Sequence, residues 1–173
     1  MSLVLLAGIL IFSARPGVAF DEPAGINKAR FGMTPAELLK VYPQAKMLPH
    51  PTPAQHQALA LESYQLTGQK IGRLKDCRLE MRFFGGHLEL YEIQALCPDK
   101  DEVTRYLTGT FGMPTRTTDS MLMWTGSKVA INYVPKSGAF SFGDIARARD
   151  MQAMLMQALR GMNLGRATPT PAQ

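Results

Sequence analysis

The sequence predicts an α+β fold: a mainly antiparallel sheet of about six strands, with helices on one face and a helix at the C-terminus. Helix-start residues are followed by short segments in which apolar and polar side chains alternate. The strand segments are joined by connections too short for parallel crossovers. The order of one helix and three strands occurs twice, so we expect a sheet built from two helix-plus-three-strand halves.

The composition is that of one globular domain. The chain has 173 residues, of which 46% are hydrophobic and 19% are charged, an ordinary balance for a folded protein. We divide it into a leader at 1–19, a single α+β domain at 20–160, and a tail at 161–173 that is rich in Pro, Thr and Gly and is expected to be disordered.

The leader has the pattern of a secretory signal peptide. Leu3 to Phe12 is an unbroken apolar run, about half the length that a membrane-spanning helix needs. Gly17-Val18-Ala19 offers small residues for a signal peptidase. We expect cleavage after Ala19 and a periplasmic or secreted protein. No Lys or Arg precedes the run, so a true start further upstream, or a buried N-terminal strand, stays open.

The charge of the chain is mildly basic. The formal net charge is +5 at pH 7, and the basic residues are dispersed along the sequence. This is too little for nucleic-acid binding, which requires clustered Lys and Arg. Attraction to an anionic membrane surface stays open.

The first helix is predicted from its starting residues. Thr34 is a good N-cap, Pro35 suits the first helical position, and Glu37 completes a capping box. Pro43 ends the helix. A Pro-rich loop follows, then a strand at 61–67 and a polar turn at 68–76.

The segment from Cys77 to Cys97 predicts a β-hairpin. Alternation from Cys77 to Phe84 predicts a half-buried strand, and Gly85-Gly86 predicts a tight turn. On the return strand the apolar phase shifts near Leu90-Tyr91. Because a period of two cannot shift without an extra residue, we predict a β-bulge there.

The same hairpin brings the two cysteines of the chain together. With Phe84 paired to His87, the bulge places Cys77 opposite Ala95 and diagonal to Cys97, on one face. Diagonal neighbours lie about 7–8 Å apart, so strand twist has to close the remaining distance. In an exported domain we expect a Cys77–Cys97 disulfide; two buried thiols are the alternative.

The second half repeats the pattern of the first. Asp99 predicts a helix start, and Gly112 with Pro114 predicts its end. Asp144 is predicted to cap a final helix that runs to about Arg160. The strands between these helices are predicted at Met121–Thr125, Lys128–Val134 and Ala139–Phe142.

Several short segments resemble a known family. Phe31-Gly32-Met33-Thr34-Pro35-x-Glu37, and later Leu107, Phe111-Gly112-x-Pro114 and Trp124, resemble small bacterial envelope domains. These are the outer-membrane assembly lipoproteins of the SmpA/OmlA type and the β-lactamase-inhibitor-like fold that they share. The resemblance implies a protein-binding domain with helices on one face of an antiparallel sheet. The leader is not followed by a lipid-attachment Cys, so membrane anchoring is not implied.

No motif specifies a reaction. His50, His56 and His87 lack metal-ligand spacing to one another or to Cys and carboxylates, and the sequence contains no P-loop, nucleophile elbow or dinucleotide fingerprint. We therefore predict no catalytic residue, no metal site and no cofactor. An enzyme whose site is assembled from distant residues stays an alternative.

Methionine content leaves a copper carrier as a further alternative. The chain has 11 Met, and thioethers bind Cu(I). Met151, Met154 and Met156 cluster on the last predicted helix, and Met121 and Met123 lie on one strand. Core packing is the other explanation for these residues.

The outward side of the sheet is the candidate partner-binding surface. Arg78, Arg82 and Phe84 alternate with the core-facing residues of their strand. We predict that they bind a partner together with Trp124, with the two aromatic side chains as anchors. A merely solvated sheet face is the alternative. The sequence thus predicts a non-catalytic accessory protein that binds an unidentified envelope protein.

Overall fold

The computed structural model describes residues 20–49, 61–85 and 88–164, with side chains as far as residue 157. Its helices are α1 (Pro35–Val41), α2 (Lys100–Phe111) and α3 (Ile145–Leu164). Its strands are β1 (Gly25–Ile26), β2 (Ala29–Arg30), β3 (Lys46–Met47), β4 (Glu62–Ile71), β5 (Leu74–Phe84), β6 (Glu89–Leu96), β7 (Arg116–Thr117), β8 (Leu122–Thr125), β9 (Val129–Val134) and β10 (Ala139–Asp144). The predicted leader and His50, His56 and His87 lie outside the described residues.

The predicted α+β fold is confirmed. Within the described residues, the main sheet has eight strands in the order β3-β4-β5-β6-β10-β9-β8-β7, and every neighbouring pair is antiparallel. Each half is a helix followed by a meander, and the halves meet where β6 pairs with β10. The sheet exceeds the predicted six strands by β3 and β7. These edge strands have two residues each, which is too short to produce an alternating pattern.

The core lies between one side of the sheet and helices α1 and α2. Directly paired residues of six strands form a row across the sheet, and opposite residues share a face. Leu38 of α1 and Val103 and Leu107 of α2 belong to the same buried cluster. The residues of the core row are Tyr64, Met81, Ile93, Phe142, Ile131 and Trp124.

The start of α1 has the predicted capping box. The Thr34 N–H donates to Glu37 Oε2 at 2.8 Å, and the Glu37 N–H donates to Thr34 Oγ1 at 3.3 Å. The preceding Gly32 adopts a φ of +83°, and a Cβ there would lie 2.6 Å from Nη2 of Arg147. The left-handed backbone conformation therefore favours glycine at position 32, with the Arg147 guanidinium packed against it.

The β5–β6 hairpin has the predicted bulge but a different turn. Arg82 pairs with Glu92 and Phe83 pairs with Leu90, so Tyr91 is the extra residue. Phe84 pairs with Glu89, not with His87. The tight turn predicted at Gly85-Gly86 is thus wrong: four residues separate the paired ends, and Leu88 closes the turn in the left-handed region, at a φ of +50°.

The Cys77–Cys97 disulfide is present. Leu79 pairs with Ala95 and Arg78 with Leu96, so the next step of the ladder sets Cys77 opposite Cys97. The predicted diagonal arrangement is wrong, because the wider turn moves the register by two residues and keeps both cysteines on the core face. Their Cα atoms are 4.3 Å apart, the spacing of directly opposite residues.

Two segment boundaries also differ from the prediction. Most of the polar stretch at 68–76 is strand, because β4 runs to Ile71 and β5 begins at Leu74. Register shifts in the β4–β5 pairing accommodate the polar and glycine residues of this stretch. At the other end, Asp144 Oδ1 accepts from the Arg147 N–H at 2.9 Å, which confirms the predicted cap. Helix α3 continues to Leu164, so residues 161–164 of the predicted tail are helical.

Among the described residues, no helix combines the length and the apolar character that crossing a bilayer requires.

Candidate partner-binding face

The side of the sheet opposite the core carries a second row of paired residues. Because successive side chains of a strand alternate between faces, each residue of this row is the strand neighbour of a core residue. Members of the row on β4, β5, β6, β10, β9 and β8 are Gln65, Glu80, Gln94, Ser141, Asn132 and Met123. We call this row, with the flanking Arg78, Arg82, Glu92, Ala130, Val134 and Ala139, the open face.

Arg82 organises the charged part of the open face. Its Nε lies 2.8 Å from Glu80 Oε1 and its Nη1 lies 3.2 Å from Glu92 Oε2. Gln94 Nε2 donates to Glu92 Oε1 at 3.4 Å. Burial tends to lower the pKa of the Arg82 guanidinium, but Glu92 and Glu80 outweigh burial and raise that pKa. Arg82 is therefore a fixed, permanently charged centre held between two carboxylates.

Phe84 faces the predicted side of the sheet but is not exposed. It is 7% exposed, and its ring meets the ring of Tyr91 edge-on at 5.2 Å between centroids. Tyr91 is the bulge residue, and burial followed by the nearby Glu92 raises the pKa of its phenol. The bulge thus covers Phe84, and the expectation that Phe84 is an exposed anchor is wrong.

Trp124 lies on the core side of the sheet. It is 1% exposed, pairs with Ile131, and donates from Nε1 to the carbonyl oxygen of Gly112 at 2.9 Å. An indole buried with its only donor satisfied stabilises the fold. The expectation that Trp124 is an exposed anchor is therefore wrong. Arg78 is exposed on the open face, and partner binding by Arg78 and Arg82 stays a prediction.

Three polar side chains in the row have no hydrogen-bond partner among the described residues. Gln65, Ser141 and Asn132 are half-buried, yet their amide and hydroxyl groups bond to no other group in the described part of the chain. Together they offer donors and acceptors on three strands. Gln65 and Gln94 were not among the residues predicted from the sequence, because only the strand register aligns them with the other members of the row.

Two clefts in the described part of the chain are small. One, of about 180 Å³, lies beside Cys97 and is lined by Arg73, Asp99 and Glu102. The other, of about 100 Å³, is lined by Tyr106 and Phe111, among others. Both are smaller than the roughly 300–1,000 Å³ of typical small-molecule sites.

The described residues contain no group of three or more His, Cys, Asp or Glu side chains arranged for a metal ion. Met123 lies in the open face, whereas Met154 and Met156 of α3 are exposed. Copper binding by methionines stays an alternative prediction.

Comparison with protein-family models, with curated proteins and with solved structures gives no match. The resemblance to SmpA/OmlA-type and β-lactamase-inhibitor-like domains therefore stays a prediction. The Gly32-to-Glu37 segment that contributes most to it is accounted for by local structure, namely the left-handed Gly32 and the capping box of Thr34 and Glu37.

Proposed function

We propose that this chain is an exported, non-catalytic binding protein whose open face docks a partner protein of the cell envelope. The observation that carries the proposal is the set of half-buried polar groups without partners at Gln65, Ser141 and Asn132. A polar group that is partly withdrawn from water gains when a partner supplies its hydrogen bond. A protein surface with loop carbonyl and amide groups would supply such bonds.

The dimensions of the open face support a protein as the ligand. Six adjacent strands at about 4.8 Å spacing extend over roughly 25 Å, which suits an interface of about 800 Å² per partner. The ion cluster around Arg82 is already ordered by Glu80 and Glu92. Less side-chain entropy is then lost on binding than with unpaired flexible charges.

Export is supported by the disulfide and by the leader pattern. A buried disulfide persists in an oxidising compartment and is rare in a reducing one. We expect the natively expressed protein to fractionate with the periplasm or the medium, to begin at Phe20, and to resist alkylation until it is reduced. Intact mass with and without alkylation tests this. A full-length cytosolic chain with two alkylatable thiols would overturn export while leaving the binding proposal to its own test.

The binding proposal is tested by a matched pair of arginine substitutions. Asn132→Arg places a long cation in the centre of the open face, and Thr110→Arg places one on the exposed side of α2. Complexes of the tagged chain are recovered from native cells and quantified by mass spectrometry. We expect a partner that Thr110→Arg retains and Asn132→Arg loses by at least tenfold. Equal recovery with both variants would refute docking on the open face.

A further inference from the structure

The turn between β8 and β9 closes around a carboxylate. Glu22 accepts from the backbone N–H groups of Ser127 at 2.8 Å, Lys128 at 2.6 Å and Val129 at 2.7 Å, and from Ser127 Oγ at 2.7 Å. Three consecutive amides that converge on one anion form a nest, an arrangement that binds anions. The contact joins residues separated by more than a hundred positions in the chain.

The turn accommodates the carboxyl group of Glu22 and stabilises its ionised form. At Gly126 a Cβ atom would collide with the carboxyl group of Glu22, so glycine keeps the nest open. Burial alone raises the pKa of Glu22, but the hydrogen bonds from Ser127, Lys128 and Val129 outweigh it and lower that pKa below its ordinary value. The nest therefore favours the ionised form of its ligand.

The residues next to Glu22 make a second set of contacts. The ring of Phe20 meets Phe111 edge-on at 5.8 Å between centroids. Pro23 lines the cleft of about 100 Å³ formed with Ile26 and Tyr106. Phe20 and Glu22 are thus each held by residues far along the chain, Phe20 by the ring of Phe111 and Glu22 by the nest.

We propose that the nest at 126–129 and the neighbouring Phe111 ring form a binding site for acidic peptide segments, and that residues 20–22 occupy it as an intramolecular ligand. The ligand class is an extended segment with an aromatic residue two positions before a glutamate. A tethered ligand competes at an effective concentration of about millimolar, so an external peptide binds only where the native anchors have been removed. The proposal does not depend on the function of the open face or on export.

The test uses a variant of the full chain that lacks the two side chains that occupy the site. In Phe20→Ala/Glu22→Ala, the peptide Phe-Asp-Glu-Pro, blocked at both ends, is titrated while the amide signals of Ser127, Lys128 and Val129 are followed by NMR. We expect saturable shifts at these three amides and at least tenfold weaker binding of Phe-Asp-Gln-Pro. No saturable shift, or equal affinity for the two peptides, would overturn the proposal.

Two controls keep the result interpretable. The unsubstituted chain should show no shift, because its own Glu22 fills the nest, and a shift of equal size there would contradict an occupied site. If the double variant does not fold, Glu22→Gln replaces it, since the amide keeps the shape of the side chain and removes the charge. The Phe-Asp-Glu-Pro peptide should then displace residues 20–22 from the nest at millimolar concentration, and its failure to do so would also overturn the proposal.

Discussion

The two faces of the sheet are built from the same strands and differ in the burial and polarity of their side chains. Tyr64, Ile93 and Ile131 of the core row belong to the buried cluster that includes residues of α1 and α2. Their strand neighbours Gln65, Gln94 and Asn132 are half-buried polar residues on the other side. Burial of the core row stabilises the fold. Away from the Arg82 ion cluster, the open face buries less apolar surface, so it can hold polar groups that a partner satisfies.

The largest loss of stability is expected on the core face. Trp124→Ala removes a fully buried indole and leaves the Gly112 carbonyl without its donor. We expect the free energy of unfolding to fall by about 3–5 kcal/mol, measured by urea denaturation. A loss below about 1 kcal/mol would contradict the assignment of Trp124 to the core.

The disulfide is the next largest contribution, also on the core face. Replacing Cys77 and Cys97 together with Ala opens a link between residues 20 positions apart. We expect a loss of about 2–4 kcal/mol, chiefly because the unfolded chain gains conformational freedom. Reduction of the native protein should also lower the urea midpoint. An unchanged midpoint would contradict a stabilising role of the disulfide.

A smaller effect is expected where the open face is most buried. Arg82→Ala leaves Glu92, which is 8% exposed, without its cation. We expect a loss of about 1–3 kcal/mol. In Arg82→Ala/Glu92→Gln the second substitution should recover part of it, because no unpaired carboxylate remains. If the double variant loses the sum of the two single losses in unfolding free energy, the Arg82–Glu92 ion pair does not stabilise this part of the face.

The smallest effect on stability is expected at the centre of the open face. Asn132→Ala removes an amide that bonds to no other described residue, so the unfolding free energy should stay within about 0.5 kcal/mol of its original value. Recovery of the partner should nevertheless fall. Stability lost here to the same extent as at Trp124 would remove the distinction between the two faces.

Local chemistry predicted the parts of the fold that depend on neighbouring residues. The capping box of Thr34 and Glu37, the cap at Asp144 and the bulge at Tyr91 all follow from short-range patterns. The turn after Phe84 was not predicted, because Leu88 adopts a left-handed backbone conformation that leucine rarely takes. This one turn changes the position of Cys77 relative to Cys97 from diagonal to directly opposite.

Long-range contacts explain what the sequence could not predict about the candidate site. Trp124 was assigned to the wrong face because a four-residue strand gives too little alternation to fix its phase. Phe84 was assigned to the right face, but its cover by Tyr91 depends on the bulge geometry. Gln65 and Gln94 become neighbours of Glu80 only through the β4–β5–β6 register.

The most direct test of the open face is site-specific photo-crosslinking in intact cells. A benzophenone amino acid is placed at Asn132 in one chain and at Thr110 in another, and the adducts are identified by mass spectrometry. Our account predicts a discrete envelope protein crosslinked from Asn132 and absent from Thr110. No adduct from Asn132, or the same adducts from both positions, would contradict it.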